Sequence, residues 1–161
     1  MMRPVADYAF ISHWRLDAPI DAVWDAIYRS DDWPSWWRDV QRVQLLERGD
    51  ENGLGALRRY WWRTKLPYSF VFDTRTVRIQ PPHVLEAEAS GELVGTGLWQ
   101  LRQEAGAVHV QYDWRVRTTK PWMNLLAPVM RPAFALNHTV VMRRGARDLA
   151  RHLSARLLSA S

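Results

Sequence analysis

Cysteine is absent from these 161 residues, which excludes disulfides and thiolate metal sites. Lysine is nearly absent: Lys65 and Lys120 are the only two, so the formal charge of +5 is carried by arginine. Those arginines are scattered, with short pairs at Arg58-Arg59 and Arg143-Arg144. No concentrated basic face or nucleic-acid-binding module is legible, so a nucleic-acid partner is not expected. No apolar run approaches the roughly 20 residues of a membrane span, and Met1-Met2-Arg3-Pro4 does not open a signal peptide. There is no Gly-rich phosphate loop, no Gly-x-Ser-x-Gly and no His-Glu-x-x-His. His13, His83, His109, His138 and His152 lack metal-ligand spacing, so neither a metal nor a cofactor is expected. A cytoplasmic protein of one domain spanning residues 1–161 is the expectation.

What is abundant is tryptophan, ten residues of it. Trp is bulky and its indole N–H needs a partner when buried. So many in a short chain suit either the lining of an apolar cavity or the filling of a wide gap between layers.

Period-two alternation runs through most of the chain. It first appears at Tyr8–Leu16, with Tyr8, Phe10, Ser12, Trp14 and Leu16 on one face. Asp17-Ala18-Pro19 then opens a short helix with Ile20, Val23, Trp24 and Ile27 inward. Asp32 is placed to cap a second short helix through Trp33-Pro34-Ser35-Trp36-Trp37. Six more strands follow from Val40 onward. Tyr60 and Trp62 form the inner face of the third, and Tyr68, Phe70 and Phe72 that of the fourth. Gly95, Gly97, Trp99 and Leu101 line the sixth; Val108, Val110, Tyr112, Trp114 and Val116 line the seventh. His13 and His109 fall on solvent faces.

The last quarter switches to helical spacing: Leu126, Met130, Phe134, Val141, Gly145, Leu149 and Leu153. Pro128 and Pro132 each remove a backbone donor. The expectation is a short helical piece over Trp122–Ala127 and a main helix from about Met130 to Leu158. One helix against seven antiparallel strands is an α+β architecture, with a curved sheet around the helix.

Asn137-His138 is a polar pair set in that helix's apolar stripe. It either fixes the helix to the sheet through hydrogen bonds or faces a ligand. In the second case His138 is the candidate acid–base group and Asn137 a candidate oxyanion donor. The candidate ligand-binding set is spread over the strands and the helix. Trp14, Trp36, Tyr60, Trp62 and Tyr68 belong to it from the first half of the chain. Phe70, Trp99, Tyr112 and Trp114 follow, and Met130, Phe134, Asn137, His138 and Val141 come from the helix. Arg58 and Arg117 either lie on the surface, the first expectation, or reach a pocket mouth and pair with an acidic ligand group.

Several segments, in this order, resemble the SRPBCC superfamily of START-like, polyketide cyclase/dehydrase-like proteins with the helix-grip fold. Trp14-Arg15-Leu16-Asp17-Ala18-Pro19 with Val23-Trp24-Asp25 is similar to its first strand and helix, and Trp33-Pro34-Ser35-Trp36-Trp37 to its next segment. Leu66-Pro67-Tyr68, Gly95-Thr96-Gly97 and Phe134 through Asn137-His138 with Met142 resemble a bacterial branch. The resemblance implies a deep pocket between sheet and long helix, and a hydrophobic small-molecule partner of lipid, polyketide or isoprenoid type. It leaves open a carrier, a cyclase/dehydratase or a closed regulatory module, and says nothing of oligomeric state.

Overall fold

The computed structural model describes residues 7–64 and 70–161. The Lys65-Leu66-Pro67 turn and Tyr68 lie outside the described residues.

Strand β1 (Asp7–Asp17) leads through Pro19 into helix α1 (Ile20–Tyr28). A 3₁₀ turn (Ser30–Asp32) and helix α2 (Trp33–Trp36) follow. Asp32 stands at the N-cap of α2 but makes no side-chain capping bond. Strands β2 (Val40–Glu47), β3 (Leu57–Trp62), β4 (Phe70–Gln80), β5 (Val84–Gly91), β6 (Leu93–Glu104) and β7 (Ala107–Thr118) form an antiparallel meander. Helices α3 (Pro121–Leu125) and α4 (Ala127–His152) and a final strand β8 (Arg156–Ala160) complete the chain. The strand order is β2-β3-β4-β5-β6-β7-β1-β8. Register shifts at Thr76/Arg78 and at Arg15/Leu16 mark where strands bend.

The fold is the α+β helix-grip arrangement, with several differences from the sequence-based expectation. The sheet has eight strands rather than seven, because the long helix stops at His152 and not at Leu158. The helical spacing continues through Leu149, Leu153 and Leu157, but Ser154 takes the left-handed conformation at φ 51°. Ala155 N–H then donates to Ala150 O at 2.8 Å and Ser154 N–H to Arg151 O at 3.1 Å, a Schellman stop without the usual glycine. The chain turns back and pairs with β1. At its other end, α4 starts at Ala127, earlier than Met130. Pro128 sits in the first turn, where its missing donor costs nothing, and Pro132 is carried inside the helix. His13 and His109 are half-buried rather than exposed, and pair with each other, Nδ1 to Nε2, at 3.1 Å.

The core is aromatic at its centre. Trp37 is 1% exposed and packs its ring among Trp14, Trp33, Trp36, Trp62 and Trp99. The Nε1 edge of its ring also presses on α4: a Cβ at Gly145 would stand 2.5 Å from it. Its indole N–H donates to Val141 O at 3.2 Å. Beside it, Arg38 forks onto buried Asp148 (2.9 Å and 3.2 Å), and Arg144 reaches buried Asp39 at 3.2 Å. Burial pushes the Asp39 carboxyl up, and Arg144 opposes the shift. The α2–β2 connection is thereby pinned to α4 by one indole and two ion pairs.

Candidate functional site

Two cavities lie inside the grip. The inner one, about 100 Å³, sits between α4 and strands β1, β3, β4, β6 and β7. Alternation puts Tyr8 and Phe10 of β1 on its wall, and the i, i+4 rows of α4 bring Phe134, His138 and Met142 opposite them. Tyr8 meets Phe134 edge-on at 5.2 Å, and Phe10 stacks on the His138 ring at 4.5 Å and 19°. The outer chamber, about 400 Å³, lies between the sheet and the α1–3₁₀ segment. Ser30, Asp31, Arg58, Tyr60, Thr74 and Trp99 are on its wall. Trp62, Phe72, Tyr112 and Trp114 line both spaces and form an aromatic partition between them. Gly97 makes room there: a Cβ on it would meet the Tyr112 hydroxyl at 2.7 Å.

Among the described residues, four buried polar side-chain atoms have no hydrogen-bond partner in the protein. They are Tyr8 Oη, Trp62 Nε1, His138 Nε2 and Asp39 Oδ2. Asp39 belongs to the ion cluster beside Trp37. The other three belong to residues that line the inner cavity. Unpartnered buried polar groups cost stability and are few in folded proteins, so three on residues of one cavity wall require an explanation.

Burial lowers the His138 imidazole from its ordinary 6.5 to about 4. At neutral pH the ring is uncharged and offers one donor and one acceptor nitrogen. Burial raises the Tyr8 hydroxyl, with Arg131, whose guanidinium carbon lies 5.2 Å from the Tyr8 ring centre, opposing it. Burial also raises Tyr60 and Tyr112, so both stay protonated donors. The Tyr60 hydroxyl donates to Ser30 Oγ at 2.8 Å.

Of the residues singled out in the sequence, Phe70, Phe134, Asn137, His138 and Val141 line the inner cavity. Tyr60 and Trp99 line the outer chamber, while Trp62, Tyr112 and Trp114 line both. Trp14, Trp36 and Met130 line neither. Trp14 is 1% exposed within the tryptophan core, Trp36 stacks between Trp37 and His152, and Met130 packs against the lower core beside Phe134. Arg58 lies on the outer chamber's rim, whereas Arg117 faces solvent. Tyr8, Phe10 and Ser30 were missed. For the first two the inward alternation of β1 was the available signal; for Ser30, sequence carried none. No group of three or more His, Asp or Glu side chains among the described residues is arranged to hold a metal. No helix there is long and apolar enough to cross a membrane.

A curved antiparallel sheet closed over a long helix, with cavities between them, defines a START-like, helix-grip protein. The chain belongs to the polyketide cyclase / dehydrase and lipid transport family, whose model matches residues 16–153. No curated protein sequence matches it. Among solved structures it is similar to the di-domain ARO/CYC protein BexL, at 21% identity and a TM-score of 0.67, covering 93% of this chain and 51% of that one. The chain thus spans about half the length of that relative. It is also similar to the Zhui aromatase/cyclase from a Streptomyces species, at 12% identity and a TM-score of 0.67, covering 91% and 96% of the two chains. A Thermus thermophilus protein matches at 11% identity and a TM-score of 0.72, covering 90% and 99%. At these identities the likeness is one of fold.

Proposed function

We propose that the protein binds an apolar, largely aromatic small molecule that carries a hydrogen-bonding oxygen or nitrogen, with that polar group in the inner cavity. The observation that carries this reading is the trio of unpartnered atoms: Trp62 Nε1, His138 Nε2 and Tyr8 Oη around aromatic and aliphatic walls. A ligand hydroxyl or carbonyl seated against one of them would partner it, and the walls would hold the rest by contact. The two open spaces speak against a closed regulatory core.

A cyclase or dehydratase using His138 as acid–base, with Asn137 or a tyrosine as donor, is the second reading, supported by the family's description. An imidazole held at about 4 is a weak proton relay at neutral pH, so binding is preferred over catalysis.

Native mass spectrometry of the protein purified from its own host tests the proposal. The expected spectrum shows the chain with a small-molecule adduct of constant mass, released on denaturation. A spectrum of bare chain alone, together with no quenching of tryptophan fluorescence by added 1-naphthol, would overturn it.

A further inference from the structure

The inner cavity, about 100 Å³, is smaller than the engineered apolar void of about 150 Å³ that holds benzene, so it takes no more than one aromatic ring. The outer chamber is some four times larger and shares the Trp62, Phe72, Tyr112 and Trp114 partition with it. A ligand longer than one ring therefore has its remaining length on the α1 side. That side is chemically different. Its wall carries the hydroxyls of Ser30, Thr74 and Thr76 and two arginines, Arg29 and Arg58.

Arg58 forks onto Asp31, Nε to Oδ1 at 2.9 Å and Nη2 to Oδ2 at 3.3 Å. The two partners are not equally placed. The Arg58 side chain is 18% exposed and the Asp31 side chain 49%. Asp31 stands on a three-residue 3₁₀ turn, while Arg58 is held within β3, one residue from its start. The cation is thus the built part of the pair. Its carboxylate is the solvated, weakly held part. Arg29 and Asp32, the other charged residues lining this chamber, carry opposite charges.

We propose that the outer chamber is a recognition site for the carboxylate of an aromatic acid, which takes the place of the Asp31 carboxylate on the Arg58 fork. Like replaces like: a ligand carboxylate presents the same two oxygens in the same plane. The aromatic body then lies against the partition, and a second polar group reaches the trio in the inner cavity. The proposal rests on the apolar-ligand reading of that cavity.

Naphthalene-1-carboxylate and naphthalene-1-carboxamide separate the two ideas, because they share size and shape and differ in charge. Binding is measured by calorimetry at neutral pH. Wild type is expected to bind the acid about tenfold more tightly than the amide. Arg58→Met is expected to remove that preference, weakening the acid about tenfold more than the amide. Asp31→Asn is expected to widen the preference by removing the competing carboxylate. It also serves as the deciding variant if Arg58→Met does not fold. A preference that survives Arg58→Met, a narrower preference in Asp31→Asn, or no preference in wild type overturns the proposal while leaving the cavity reading intact. Failure of wild type to bind either compound overturns both.

Discussion

Trp37→Ala is expected to lower the stability of the folded chain by about 3–5 kcal/mol, the range for emptying a fully buried large aromatic site. Five other tryptophan rings pack on Trp37, so its removal leaves a cavity at the centre of the core rather than at an edge that can collapse. The bond from its indole N–H to Val141 O is lost as well. That loss is a large part of the roughly 5–15 kcal/mol that holds a domain together. Gly145→Val tests the same contact from the other side. Its Cβ would start 2.5 Å from the indole, and neither the helix backbone nor the packed ring can give way easily. Overpacking of this kind costs about 1–3 kcal/mol. Urea denaturation of both variants checks the pair. Wild-type midpoints would show that Trp37 does not hold α4 to the sheet.

The second large effect is one of pH. His138→Leu is expected to flatten the acid side of the stability curve. The folded state holds the imidazole at about 4, below the 6.5 it has when solvated. The folded state therefore binds the proton less readily than the unfolded chain does. Stability from this group is complete above about pH 6.5 and is lost as the pH falls from 6.5 toward 4. The loss amounts to roughly 3 kcal/mol, at 1.36 kcal/mol per unit. Carboxylates also titrate near the bottom of this window, and Asp39, raised by burial, acts in the opposite sense. Those contributions cancel in the difference between wild type and variant, so the difference is the quantity to read. Denaturation at pH 7.5 and 4.5 measures it. Parallel curves would mean that the imidazole reaches water in the folded state.

Both predictions rest on contacts that the sequence reveals unevenly. Strands β1 to β7 were legible because most of them bury one face, and period-two alternation reports that directly. Strand β8 was hidden because Leu149, Leu153 and Leu157 keep helical spacing, while the stop is a serine in a conformation usually given to glycine. The aromatic lining was legible in type and not in place. Trp14 and Trp114 obey the same inward alternation on paired strands, yet Trp14 meets Trp37 and is core, while Trp114 meets open space. What separates them is where the α2 segment lands on the sheet, a long-range fact with no local signature. Asn137-His138 stood out as polar residues in an apolar stripe. The division into two chambers did not, because it depends on how Trp62, Phe72, Tyr112 and Trp114 meet across three strands.

The most direct test of the ligand reading is a crystal structure of the protein soaked with phenol, one ring carrying one hydroxyl. The account predicts phenol in the inner cavity, with its oxygen within about 2.7–3.2 Å of His138 Nε2 or Trp62 Nε1. An ordered water held by those atoms that saturating phenol does not displace, or phenol bound with its hydroxyl turned away from them, would contradict it.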